Sequence, residues 1–186
     1  MSKYKNPHSL DALRRLTVTA MAVAIGTVLA ILSKQVFGDL PVRLDFSALS
    51  VLLVSLLLGC PYGAVTYLLI DVLSSIFFYP PYLPITLCKV LTGLLFDLLL
   101  PRTRPKFYQT LLLFFANGIV IDCVFMAYAL YFLQGGSVAS LLVLRIGSAL
   151  VNIGLFLFFI YVLYPRLASP LAHLFKIATP KKEGEK

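Results

Sequence analysis

Long apolar runs, separated by short segments rich in proline, glycine or charge, dominate this sequence. Apolar residues make up 60% of the chain and charged residues 13%, and the mean hydropathy is +0.92, which is typical of an integral membrane protein. The second and third runs are short for a hydrocarbon layer of about 30 Å. We therefore expect these helices to pack against neighbouring helices or to adjoin loops that are buried within the protein. The pattern predicts an all-α fold with six transmembrane helices, at residues 16–36, 46–58, 64–78, 85–100, 107–133 and 140–164.

The basic residues predict the orientation of these spans. Twelve of the 16 Lys and Arg residues fall in the N-terminal tail, in the turn 101–106 and in the C-terminal tail, which six spans place on one side. Cytoplasmic segments carry an excess of Lys and Arg, so we expect that side, with both termini, to be cytoplasmic. The opposite loops 79–84 and 134–137 contain neither residue. The predicted division is a cytoplasmic N-tail (1–15), a six-helix transmembrane domain of the cell membrane (16–164) and a cytoplasmic C-tail (165–186).

The sequence lacks the motifs of disulfide frameworks, metal sites, histidine-dependent catalysis and ATP binding. The three cysteines are isolated, which favours neither a disulfide framework nor a zinc site. The only histidines, His8 and His173, lie in the tails, away from any intramembrane serine or metal motif. The chain also lacks the G-x-x-x-x-G-K-[ST] loop that binds ATP phosphates. We therefore expect no enzyme activity, no metal and no cofactor, and we attribute the net charge of +8 to topology and anionic lipid rather than to nucleic-acid binding.

Four basic residues lie apart from the cytoplasmic clusters. Charge at the centre of a membrane helix costs about 2.5–3.5 kcal/mol per residue, less near the interface, and such residues usually face a bundle interior or a water-filled cavity. All four fall in the outer half of the predicted bundle, which predicts an outward-facing pocket for an anion, with Asp71 in the same region. The four residues are Lys34, Arg43, Lys89 and Arg145.

Two alternatives for these charges stay open. Asp39, Asp45 and Asp71 could neutralise the cations, with Lys89 and Asp71 as the favoured structural pair, while the two outermost cations could reach lipid headgroups. The intramembrane carboxylates Asp71, Asp97 and Asp122 could also form a proton path in an autonomous secondary transporter. No inverted repeat accompanies them in the sequence.

Aromatic residues crowd the same outer region. Tyr79 and Tyr82 lie in a loop that three prolines stiffen, and Phe46 is the first residue of the second span. A planar ligand could stack against these rings while its carboxylates meet the cations. For most of the other outer aromatic residues, a belt at the membrane interface is the better interpretation.

The first span carries two faces of small residues, which allow helices to approach closely in lipid. One face contains Ala20 and Ala24, and the other contains Ala22 and Gly26. Either face could bind another membrane subunit or could pack inside the protein.

A spacing of small and aromatic residues across about 20–163 resembles that of the S components, the substrate-binding membrane subunits of energy-coupling factor (ECF) transporters. The folate type is the most similar. The residues that carry this resemblance are Arg43 with Phe46, Gly59-Cys60-Pro61-Tyr62-Gly63, Asp71, Tyr82-Leu83-Pro84-Ile85-Thr86-Leu87, Gly93, Gly135-Gly136-Ser137 and Leu144-Arg145.

The resemblance implies a high-affinity vitamin-binding subunit that delivers its substrate to a transmembrane coupling subunit and two ATP-binding subunits. In that family, the small face of the first helix docks on the coupling subunit, which here implicates Ala20 and Ala24. Folate is the first expected ligand because its two carboxylates and flat pterin ring suit the cations and aromatic residues. Pantothenate is second and riboflavin third, although Asp45-Phe46-Ser47 is similar to an Asp-x-Ser feature of riboflavin-type members.

Overall fold

The computed structural model describes residues 7–37, 44–78, 82–100, 107–134 and 137–166, and every regular element in these ranges is helical. A π-helical segment, Asn117–Phe125, joins α5 to α6, and a second, Phe159–Leu163, extends α7. The prediction of an all-α fold is confirmed for the described residues. In chain order the α-helices are α1 (Pro7–Phe37), α2 (Ser47–Leu57), α3 (Tyr62–Phe78), α4 (Leu83–Leu99), α5 (Phe107–Ala116), α6 (Met126–Gln134) and α7 (Val138–Phe158).

Among the described residues, three helical stretches are long and apolar enough to cross a membrane, namely Ala12–Val36, Thr110–Leu133 and Val138–Arg166. Ser47–Leu57 and Tyr62–Phe77 are shorter apolar helices, as expected for the second and third predicted spans. The first helix begins at Pro7, within the predicted N-tail, and therefore extends beyond its apolar span. These lengths and compositions are those of a multi-pass membrane protein.

Helix α1 runs antiparallel to α2 and parallel to α3. Gly26 lies against Ser50 of α2 and Ile70 of α3, and a Cβ atom at Gly26 would lie 2.3 Å from the Ser50 Oγ and the Ile70 Cδ1. Toward the C-terminal end of α1, Lys34 reaches Ser74, which follows Ile70 along α3. Absence of a side chain at Gly26 therefore lets three helices meet closely.

Helices α3 and α4 are antiparallel and closely packed. A Cβ atom at Gly93 would lie 2.9 Å from the Ala64 Cα and 3.0 Å from the Gly63 carbonyl oxygen. Nearby, the Asp97 carboxylate accepts hydrogen bonds from the backbone N–H groups of Gly63, at 3.2 Å, and Ala64, at 3.1 Å. Asp97 thus caps the N-terminus of α3 from the neighbouring helix, where a negative charge is favourable.

We expect Asp97→Ala to lower the free energy of unfolding by about 0.5–2 kcal/mol, because two backbone N–H groups lose their acceptors. Thermal unfolding of the purified protein in detergent measures this loss. Asp97→Asn keeps one acceptor oxygen and should lose less. An alanine variant as stable as the wild type would contradict the capping role.

A buried aromatic cluster joins α4, α5 and α7. The Phe96 ring centroid lies 5.7 Å from those of Phe114 and Phe156, which are 5.3 Å apart. Phe96 meets both rings edge-on, the arrangement that aromatic pairs favour. This contact holds the second half of the chain against the first.

Candidate functional site

An ion pair between α3 and α4 forms the centre of the candidate site. Lys89 Nζ lies 2.5 Å from Asp71 Oδ1, and the two side chains are only 15% and 5% exposed. The hydroxyl of Thr86 donates to the other Asp71 oxygen at 2.6 Å. The predicted pairing of Lys89 with Asp71 is confirmed, and both carboxylate oxygens have partners.

A second carboxylate, that of Asp45, lies just before α2. Its Oδ2 accepts a hydrogen bond from the Tyr67 hydroxyl at 2.7 Å, and its Oδ1 accepts from the backbone N–H of Ser47 at 3.1 Å and from the Ser47 hydroxyl. Burial by itself would raise the pKa of the Asp45 carboxyl, but Lys89 and these hydrogen bonds hold that pKa below its ordinary value. Asp45 is therefore ionised at neutral pH.

Tyr67 connects Asp45 to Lys89 of the ion pair. Its hydroxyl binds Asp45, and Lys89 Nζ lies 5.8 Å from its ring centroid, within reach of a cation–π interaction. Tyr67 and Asp71 are four residues apart on α3 and so share one face of the helix. Lys89 is consequently placed among Asp71, Tyr67 and the charge of Asp45.

Lys34, near the C-terminal end of α1, lies beside this group. Lys34 Nζ donates to the Ser74 hydroxyl at 3.3 Å, and that hydroxyl in turn donates to the backbone carbonyl of Asp71 at 3.2 Å. Lys34 is half-buried. The structure therefore places this predicted site residue beside the ion pair.

The remaining charges come from the second half of the chain. Asp122 lies on the first π-helical segment and Arg145 on α7, and the Asp122 carboxyl is within electrostatic reach of Arg145, Asp45 and Lys89. These three acids and three bases have no formal net charge together. We call them the polar cluster: Lys34, Asp45, Asp71, Lys89, Asp122 and Arg145.

The other predicted ligand-binding residues are placed differently. Tyr82 is half-buried and immediately precedes α4, where its backbone carbonyl accepts hydrogen bonds from the N–H groups of Ile85 and Thr86. Phe46 is half-buried at the start of α2. Arg43 and Tyr79 lie outside the described residues.

The ligand-binding residues predicted from the sequence did not include Asp45, Asp122, Tyr67, Thr86 or Asn152; Asp45 was predicted only as a neutralising charge and Asp122 only as a member of a proton path. The spacing of Tyr67 four residues before Asp71, and of Thr86 three residues before Lys89, could have indicated Tyr67 and Thr86. Asn152 of α7 accepts a hydrogen bond through Oδ1 from the backbone N–H of Asp45 at 3.3 Å. Because Asn152 is distant from Asp45 in the sequence, no local residue pattern could have predicted this contact.

The structure distinguishes the two small-residue faces of α1. Ala22 and Gly26 are buried and face the protein, whereas Ala20 and Ala24 are exposed. Only the latter face is therefore accessible to lipid or to another membrane subunit.

An apolar cavity of about 250 Å³ lies between α1, α2 and the extended α7. Its lining includes Ala22, Leu53 and Phe159 but no charged residue. It therefore differs in chemistry from the polar cluster.

In the described ranges, His, Cys, Asp and Glu side chains form no group suited to holding a metal ion. The Cys88 and Cys123 thiols are buried, and Cys60 is exposed. No family model and no curated protein matches the sequence.

Proposed function

We propose that this chain is the substrate-binding membrane subunit of an importer and that the polar cluster is its ligand site. The observation that carries the proposal is the group of charged side chains Lys34, Asp45, Asp71 and Lys89, which short contacts hold together inside a strongly apolar helical protein. Burying charge in a membrane is costly, so charged groups that face one another inside a bundle commonly serve a substrate path or a ligand. Hydrogen bonds among the cluster residues would hold the site in shape before a ligand arrives.

The proposed topology has six transmembrane helices and cytoplasmic termini in the plasma membrane. In this orientation, the C-terminal end of α1, the start of α2 and the first half of α7 lie toward the outside. The polar cluster would then receive its ligand from the extracellular side. The distribution of Lys and Arg in the sequence supports this orientation.

The resemblance to ECF S components supplies the proposed transport class. The ligand would be a vitamin, with folate first, and Arg145 would meet one of its carboxylates. The exposed Ala20 and Ala24 would contact a transmembrane coupling subunit, and two ATP-binding subunits would hydrolyse ATP. Pantothenate and riboflavin are the alternative ligands.

Titration of the purified chain in detergent with folic acid, pantothenate and riboflavin tests the ligand proposal. We expect saturable folic acid binding and a loss of about tenfold to a hundredfold in affinity for Arg145→Ala, equivalent to about 1.5–3 kcal/mol for a charge-assisted hydrogen bond. Arg43→Ala should behave similarly.

Arg166→Ala is the matched control, because it removes an exposed arginine beyond the opposite end of α7. It should bind folic acid like the wild type. Unchanged affinity in both the Arg43 and Arg145 variants would refute the anion site.

An autonomous proton-coupled transporter is the second candidate, favoured by the presence of Asp71 and Asp122 in the polar cluster. Reconstitution of the chain alone into liposomes separates the two functions. Uptake driven by a proton gradient would support the second candidate. Retained ligand binding without uptake would support a subunit that depends on partner ATPases.

A further inference from the structure

The apolar cavity between α1, α2 and the extended α7 opens at the outer surface of the helix bundle. Ile25 of α1 is 56% exposed and Phe158 of α7 is 54% exposed, so these two lining side chains form its rim. Ala22, Ser50 and Phe159 also line the cavity but are buried, and they form its deeper part. The cavity is therefore a groove in the surface that a membrane would surround, and we call it the α1–α7 groove.

The α1–α7 groove offers a ligand almost no polar group. Its lining side chains are aliphatic or aromatic apart from Ser50, whose hydroxyl donates to the backbone carbonyl of Ser47 at 2.7 Å. Apolar cavities of this kind stay free of water, because water inside them lacks hydrogen-bond partners. A hydrocarbon chain can fill the groove and make van der Waals contacts along its walls.

Helices α1 and α7 pass the groove in opposite directions. Helix α1 is antiparallel to α2, as the contacts of Gly26 show. Helix α7 runs in the same direction as α2, because Asn152 contacts the backbone of Asp45 just before α2. The groove residues of α7 come after Asn152, and those of α2 come after Asp45. The N-terminal part of α1 and the end of the α7 extension therefore lie beyond the same end of the groove.

Each of the two flanking helices carries an arginine beyond that end. Arg15 precedes the groove residue Ala22 by two turns of α1, about 10 Å along the axis, and lies on the same face of the helix. Arg166 follows the groove residue Leu163 by less than one helical turn. Both arginine side chains are exposed, and neither forms an ion pair with another described residue.

We propose that the α1–α7 groove binds one acyl chain of an anionic phospholipid, whose phosphate is held by Arg15 and Arg166. The apolar groove and the basic side chains beyond its end follow one another in the same order as the acyl chain and the headgroup of a phospholipid. Guanidinium groups form charge-assisted hydrogen bonds with phosphate oxygens, and basic pockets between membrane helices bind anionic headgroups. The long arginine side chains can reach from the helices to the headgroup level.

This inference goes beyond the proposed function, because the groove is separate from the polar cluster and takes a lipid rather than a vitamin. In the proposed topology, the two arginines lie on the cytoplasmic side, where anionic lipids are enriched. An acyl chain in the groove would contact α1, α2 and α7 together. The lipid would therefore connect the first half of the chain to the second.

The test is native mass spectrometry of the purified full chain in detergent, titrated with dioleoyl phosphatidylglycerol and with dioleoyl phosphatidylcholine. These lipids share their acyl chains and differ in headgroup charge. We expect the wild type to bind phosphatidylglycerol at least about fivefold more tightly. Arg15→Gln combined with Arg166→Gln should abolish this preference. Lys181→Gln with Lys182→Gln removes the same charge from the C-terminal tail and should keep it.

Ile25→Trp tests the groove itself, because the larger ring at the rim competes with the acyl chain for the same space. It should weaken the binding of both lipids at least about threefold, through lost van der Waals contacts. Val28→Trp is the matched control, since Val28 is also 56% exposed on α1 but is not part of the groove lining. Leu163→Trp, on the α7 side, carries this test if the Ile25 variant does not fold.

Three results would each overturn the inference: equal binding of both lipids by the wild type, a preference that survives loss of both arginines, and groove variants that bind lipid like Val28→Trp. Binding of neither lipid would also overturn it and would leave the groove to a helix of a partner protein. Folic acid binding by the wild type is a separate readout. Failure of the proposed function is therefore distinguishable from failure of this inference.

Discussion

Lys89→Met is expected to lower the free energy of unfolding by about 3–5 kcal/mol, the cost of breaking a buried ion pair by removing one partner. The substitution keeps most of the side-chain volume but leaves the Asp71 carboxylate, only 5% exposed, without its cation. It also removes the positive charge above the Tyr67 ring. Denaturant titration or thermal unfolding in detergent measures the loss.

Two variants separate the ion pair from a general effect of charge. Arg15→Met also removes one positive charge, but from an exposed position on α1, and should change stability little. Combining Lys89→Met with Asp71→Asn should recover part of the loss, since no uncompensated charge is then buried. A Lys89→Met protein as stable as the wild type would show that the pair does not hold α3 against α4.

Gly93→Ala is expected to lower the free energy of unfolding by about 1–3 kcal/mol through overpacking between α3 and α4. The new methyl group would lie 2.9 Å from the Ala64 Cα and 3.0 Å from the Gly63 carbonyl oxygen. These are backbone atoms, so a rotamer change cannot relieve the contact and the helices must separate. Thermal unfolding in detergent measures the effect.

Gly154→Ala is the matched control, because a Cβ atom at this α7 position has no neighbour within 4 Å. Both substitutions restrict the unfolded chain equally and favour helix formation, by up to about 1 kcal/mol. The difference in the free energy of unfolding between the two variants therefore measures the cost of overpacking between α3 and α4. Equal stability of the two would contradict the close α3–α4 contact.

Much of the secondary structure was predictable from the sequence. Each predicted span overlaps a helical stretch, because continuous apolar runs and their proline, glycine and charged boundaries are local signals. The two π-helical segments were not predicted. Their register depends on packing against other helices rather than on a local residue pattern.

The candidate site was predictable in part. The pairing of Lys89 with Asp71, and the position of Lys34 beside that pair, follow from where ionisable residues interrupt apolar runs. The roles of Tyr67 and Asn152 did not follow, because each contact joins residues distant in sequence.

The sequence by itself determined the all-α class, the apolar stretches and the ionisable residues that must find partners within them, since transfer from water to lipid depends mainly on residue type. Only the tertiary structure decided that Asp45 binds Tyr67, that Asn152 binds the backbone of Asp45, and that Ala20 faces outward while Ala22 faces inward. These features depend on how each helix is rotated and shifted against its neighbours. Close packing between helices sets that rotation and shift, and the apolar runs alone leave both unspecified.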